Sequence, residues 1–253
     1  WEPASTPDVW TKVPMAPYPN TLPQAPVALN NPNYMPWTAG RSLAVHDGSV
    51  FVVSTEADAL VVLDQATGLV QRMIHVGSRP EQVLVAPDGT AYVTVRFSGK
   101  VVSIPAGSSQ IAKVASVGTE PYGIALSPNA KTLYVTISGD NRVIALRAQD
   151  LAPISNMAVA RRPRSIAAHP DGSVYVGIQF GKAVKFNTSY LTGALTSPVE
   201  LALRTQNPAD LALHESVKLD KALATRVFGM TVSPADDNRI YISHVNVSPG
   251  SPE

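Results

Sequence analysis

The feature that most restricts this chain is a stretch written several times over. Pro121 to Ile137 reads PYGIALSPNAKTLYVTI, and Pro80–Val95 and Pro163–Ile178 restate it. An apolar run, a turn signal and an alternating run of β-branched and aromatic residues make two antiparallel strands. Phe51, Tyr92, Tyr134 and Tyr175 fill one slot at spacings of 41, 42 and 41 residues. His46, Pro87, Pro128 and Pro170 fill the turn slot, followed by Asp47, Asp88, Asn129 and Asp171. Gly48, Gly89 and Gly172 come next in three of the four, and these residue types tolerate the positive φ of tight hairpins. A period near 41 is the mark of a repeat architecture.

Each repeat has room for four short strands. In the second they are expected at Gln82–Val85, Ala91–Val95, Lys100–Ile104 and Gln110–Val117. The third strand recurs as Leu60–Leu63, Val101–Ile104, Val143–Leu146 and Ala183–Phe186. Four-stranded units of this length, arranged radially, predict an all-β fold, a β-propeller. The period-two alternation excludes a solenoid of helix pairs.

The repeats run at about 39–76, 77–117, 118–159 and 160–203, with a partial fifth at 226–253. Between Pro170 and the next turn proline, Pro234, lie about 22 residues more than the period allows, an insertion at about 190–225. Asn207-Pro208 there suggests a helix start, which predicts a short helix over the following residues. The fifth repeat stops two strands in. An unclosed ring leaves a sheet edge open, so a longer, seven-bladed parent polypeptide, or another segment completing the ring, is expected.

Residues 1–38 are a different material, holding nine of the 22 prolines and all three tryptophans, Trp1, Trp10 and Trp37. Proline removes amide donors and favours extended or turn conformations. The segment reads as an arm lying across its own domain. Its tryptophans are also candidates for docking a partner.

Composition excludes several classes. A net charge of +1 argues against a nucleic-acid or anionic-membrane binder working by bulk electrostatics. No apolar run reaches the roughly 18 residues of a membrane span. With no cysteine, disulfides, thiolate nucleophiles, iron–sulfur clusters and thioether-attached haem are excluded within the chain. The five histidines lack metal-ligand spacing, and no Gly-x-Ser-x-Gly elbow, calcium loop or phosphate loop occurs. Only His244, at a strand end, stands where a channel or face residue would.

The slot just before each entry proline holds Thr38, Arg79, Glu120, Arg162 and Arg226. It is expected near one mouth of the central channel, where Arg79, Arg162 and Arg226 with Glu120 would hold a carboxylate, a phosphate or a partner by charge-assisted hydrogen bonds. The competing reading is a solvated rim where Glu120 pairs with a neighbouring arginine, worth about 0–1 kcal/mol. Arg161-Arg162-Pro163-Arg164 is the densest basic cluster.

The motifs Tyr92-Val93-Thr94 and Tyr134-Val135-Thr136, degraded at Tyr175-Val176-Gly177 and Tyr241-Ile242-Ser243, resemble the YVTN family of β-propeller repeats from about Ala39 to His244. The insertion and the restart ATRVFGMTVSPADDNRIYISHV are similar to propeller modules joined to c-type cytochrome peroxidase-like domains. That resemblance implies an extracytoplasmic address, and haem carried on a downstream or partner domain, with no cofactor on this chain. It leads to a non-catalytic scaffold docking a protein partner or a further segment of the same polypeptide, in an electron-transfer assembly. The alternative is an enzyme using the channel mouth, a lactonase-like hydrolase or a quinoprotein dehydrogenase subunit. Its inner-strand slots, Arg41, Gln82, Gly123, Ser165 and Gly229, make a poor metal-ligand set.

Overall fold

In a computed structural model the described residues are 35–179, 183–189, 192–201, 204–206, 216–218, 224–232 and 240–247. Four consecutive antiparallel sheets form in chain order, each with four strands. Blade 1 comprises β1 (Leu43–His46), β2 (Ser49–Ser54), β3 (Ala59–Asp64) and β4 (Val70–His75). Blade 2 comprises β5 (Pro80–Val85), β6 (Ala91–Val95), β7 (Lys100–Ile104) and β8 (Lys113–Ser116). Blade 3 is β9 (Pro121–Leu126), β10 (Thr132–Ile137), β11 (Arg142–Arg147) and β12 (Pro153–Ala158). Blade 4 is β13 (Pro163–Ala168), β14 (Val174–Ile178), β15 (Ala183–Thr188) and β16 (Leu195–Leu201). A two-stranded pair, β17 (Arg204–Gln206) with β18 (Ser216–Lys218), and a hairpin, β19 (Ala224–Val232) with β20 (Ile240–Val247), follow.

The strands sit within a few residues of their expected places because turn chemistry and alternation agree. Where three repeats carry glycine at the hairpin, blade 3 carries Ala130 at φ 56°, in the same left-handed region as Gly89 at 81° and Gly172 at 86°. The Ser127 hydroxyl steadies that turn, accepting from the Thr132 N–H at 2.9 Å. The helix expected in the insertion is not formed at Ser216–Lys218, which pair as a strand with Arg204–Gln206. The β-branched Val217 suits that extended pairing. The remainder of that predicted helix lies outside the described residues.

First strands of successive blades are neighbours, β1 beside β5, β5 beside β9, β9 beside β13 and β13 beside β19. Each is therefore the inner strand of a radial array, and the fourth strands, half-exposed along β4, β8 and β12, are the outer edges. Between blades lie separate apolar clusters. Phe51, Leu60 and Val62 of blade 1 pack against Val83, Val93 and Ile104 of blade 2. Leu84, Tyr92 and Val101 of blade 2 pack against Ile124, Leu133 and Val135 of blade 3. Ala125, Tyr134 and Val143 of blade 3 pack against Ile166, Val176 and Phe186 of blade 4. Burial pushes the Tyr134 phenol up to about 12, and burial with the nearby Asp88 charge does the same for Tyr92. The Tyr92 hydroxyl donates to the Ala148 carbonyl at 3.0 Å, so a buried polar group is satisfied.

The threonine of the repeated motif has a specific task. Thr94 Oγ1 accepts from the Gln82 N–H and donates to the Tyr122 carbonyl of the next blade at 2.8 Å. Thr136 repeats this with the Gly123 N–H and the Arg164 carbonyl, again 2.8 Å. Each hydroxyl fastens its own inner strand at a bulge and the neighbouring one across the blade boundary.

Blade 1 departs from the pattern at its start. In blade 2 Pro80 pairs with Val95 on its own second strand, whereas residues 39–41 leave their blade and lie across its neighbours. Arg41 forms an antiparallel bridge with Val83, and the Gly40 N–H donates to the Ile124 carbonyl at 2.6 Å. Ala39 is buried in a cluster with Ala167, Ala183 and Met230, and Arg41 Nη2 donates to Thr231 Oγ1 at 2.5 Å. A Cβ on residue 40 would collide with Ile124 Cγ2 and come within 2.7 Å of the Ile124 carbonyl oxygen, so this crossing requires glycine.

Candidate binding face at the inner-strand entries

At one end of the blades the β2–β3-type loops meet the entries of the following inner strands. Arg79, Glu120 and Arg162 each stand immediately before an inner strand with φ between 53° and 56°. Positive φ is uncommon for residues with a Cβ, and for Arg79 and Arg162 the preceding blade's loop holds it. Asp58 Oδ1 accepts the Arg79 N–H at 2.8 Å, and Asn141 Oδ1 accepts the Arg162 N–H at 2.9 Å. Glu120 differs: the contact comes from its own blade and one residue earlier, where Asp140 of the β10–β11 loop accepts the Thr119 N–H at 3.2 Å. Burial pushes the Asp140 carboxyl up, but the Thr119 N–H and hydroxyl and the Arg142 guanidinium together hold it below the usual range. The left-handed turn lifts the slot's side chains onto this face.

The hub of the face is Arg96, just after β6. Its Nη2 donates to Glu120 Oε1 at 3.0 Å and its Nη1 lies 3.8 Å from Glu81 Oε2. Its guanidinium carbon sits 5.8 Å from the ring centres of both Phe97 and Tyr122. Arg164 covers Tyr122 at 4.7 Å, and Arg79 covers Phe97 at 4.9 Å. Such stacking is worth about 0.5–1 kcal/mol at exposed sites and more when water is excluded. Burial raises the Tyr122 pKa, as do the charge and hydrogen bond of Glu81, with Arg164 and Arg96 pulling back. The phenol stays protonated at neutral pH and serves Glu81 as a donor. The Nε atoms of Arg96 and Arg164 are buried and unpartnered. Beside Arg96 a shallow cleft of about 380 Å³ opens, lined by Phe97, Ser98, Gly118, Thr119 and Glu120.

The structure thus brings Arg79 and Glu120 into one network through Arg96 and Phe97. Arg162 is exposed and is tied in by its backbone, its carbonyl accepting the Gln179 N–H. Arg226 lies inside β19 opposite Val245, not before the strand, and its side chain is outside the described residues. Thr38, buried in a single 3₁₀ turn with its hydroxyl on the Met35 carbonyl, takes no part in the face. Trp37 packs against the blade 2–blade 3 core, whereas Trp1 and Trp10 lie outside the described residues. His244 is in β20 opposite Val227. Arg96, Glu81, Tyr122 and Phe97 escaped the sequence reading. Glu81, Tyr122 and Arg164 share the slot after the entry proline, and that shared slot was the available signal. Among the described residues no three His, Asp or Glu side chains come together to hold a metal ion.

No protein-family model and no curated protein sequence matches the chain. Solved structures do. Hydrazine synthase of Kuenenia stuttgartiensis aligns over 78% of this chain and 52% of its own, at 19% identity and a TM-score of 0.62. Virginiamycin B lyase of Staphylococcus aureus aligns over 85% and 71%, at 14% identity and a TM-score of 0.60. The fold is a β-propeller. The periplasmic gluconolactonase of Pseudomonas aeruginosa aligns over 63% and 53%, at 19% identity and a TM-score of 0.55. At these identities the likeness is one of fold, and propellers host unrelated chemistries. This propeller chain spans about half the length of the hydrazine synthase and gluconolactonase chains it matches.

Proposed function

We propose that this chain is a non-catalytic propeller module that docks an acidic protein surface on its inner-strand entry face. The observation that carries this reading is the stacked run Arg79–Phe97–Arg96–Tyr122–Arg164, in which three guanidinium groups are answered, among the described residues, by the carboxylates of Glu81 and Glu120 alone. Phe97 stands 59% exposed beside them. Arginine with exposed aromatic rings is the composition of interface centres. The resemblance to modules joined to c-type cytochrome domains makes an acidic c-type cytochrome, in an extracytoplasmic setting, the partner to try first.

Titration with such a cytochrome, followed by calorimetry at low and moderate salt, tests the reading. Arg96→Ala with Arg164→Ala should weaken binding at least tenfold, while Glu120→Ala, which removes a competing carboxylate, should tighten it. Equal affinity in all three proteins would overturn the reading. Turnover of gluconolactone or a streptogramin B by the purified chain would replace it with an enzymatic one.

A further inference from the structure

The blades stack with one polarity. The face built on Phe51, Tyr92, Tyr134 or Tyr175 meets the following blade or hairpin, and the opposite face meets the preceding blade. Blade 2 receives blade 1 on Val83, Val85, Ala91, Val93, Val102 and Ile104, none more than 5% exposed. Strand pairing puts Leu43, Val45, Val50, Val52, Val61 and Leu63 at the same register positions of blade 1. Met73 and Val70 extend the two rows onto β4. All eight side chains are apolar, yet Leu43 and Val45 are each 47% exposed, Met73 54% and Val70 60%.

The register says what fits there. A surface identical in kind to the one on which blade 1 sits against blade 2 calls for another blade, presenting an aromatic-slot face. The size says how it is held. Four strands about 4.8 Å apart and five residues of about 3.4 Å give a footprint near 330 Å² per partner. Two such faces bury about 700 Å², short of the roughly 1,200 Å² of a stable free-standing interface. A tether supplies the missing affinity through effective concentration. The matched propellers carry chain beyond the aligned part, which covers 52% and 71% of two of them.

We propose that the open face of blade 1 is the seat of a further four-stranded blade tethered to this chain. The test is the hydrogen peroxide oxidation rate of Met73, with buried Met230 as internal control, read by mass spectrometry. Met73 should oxidise at least tenfold more slowly in the polypeptide purified from its source than in the 253-residue chain made alone. In the source polypeptide Val45→Lys should lower the melting temperature by several degrees, because it would bury a charge. Equal Met73 rates, a source polypeptide of 253 residues, or a neutral Val45→Lys would overturn the proposal. So would Met73 already protected in the 253-residue chain, by dimerisation or by the arm, as a dimeric mass or deprotection on deleting residues 1–34 would reveal.

Discussion

Blade 3 and blade 1 are the same repeat in two situations. Blade 3 is covered on both faces, with Ile124, Leu126, Leu133, Val135 and Ile137 all fully buried. Blade 1 has the same alternation and strand count, yet its matching face carries Leu43 and Val45 half in water. The difference teaches that the pattern within a repeat does not bury its own hydrophobic surface. Burial belongs to the boundary between repeats, as in other quasi-one-dimensional folds. The aromatic slot shows the same dependence, since Tyr134 is enclosed only because blade 4 lies on it.

The sharpest test of the contrast is at that slot. Tyr134→Ala should cost on the order of 3–5 kcal/mol, by analogy with large aromatic deletions, and chemical denaturation with an unchanged midpoint would refute the boundary account. Next come two matched inner-strand positions, Ile124 opposite Val135 and Leu43 opposite Val52. Ile124→Ala should cost about 2–5 kcal/mol and Leu43→Ala in the isolated chain well under half of that. Equal losses would mean that the two blades are not differently buried. A smaller effect is expected where blade 3 is fastened to blade 4. Thr136→Val leaves the Gly123 N–H and the Arg164 carbonyl without their partner, for about 1–3 kcal/mol. Blade 1 has valine at this slot, Val53, and blade 4 has Gly177. If Thr136→Val is neutral, the motif's threonine is there for strand propensity alone.

Much of the wheel was legible from Phe51, Tyr92, Tyr134 and Tyr175, because their spacing reports a unit of structure and each sits beside a turn with unambiguous chemistry. The entry slot was legible for Arg79 and Glu120, whose common backbone conformation follows from their common place before an inner strand. Their link was not, because it runs through Arg96 and Phe97, which belong to a different slot of the repeat, in the β6–β7 loop of blade 2. Arg226 misled for a local reason. With no entry proline after it, nothing stops the strand from starting earlier, and β19 begins at Ala224. Residues 39–41 were unreadable in another way. Their alternation continues that of β1, and nothing local signals that the chain has left its own sheet. Gly40 alone hints at close approach, and a lone glycine has many other uses.

That departure has a consequence for assembly. The Arg41–Thr231 hydrogen bond joins residues 190 positions apart, whereas each blade is stitched by hairpins between strands adjacent in sequence. During synthesis residues 39–41 emerge before any strand they will touch. Hairpins close cheaply and early, while contacts across such a separation carry a larger loop entropy and slow folding. Residues made before the strands they touch therefore act as a late stitch, drawn across inner strands that already exist. In kinetic terms the segment is a latch, and loosening it should show in the unfolding rate far more than in the folding rate.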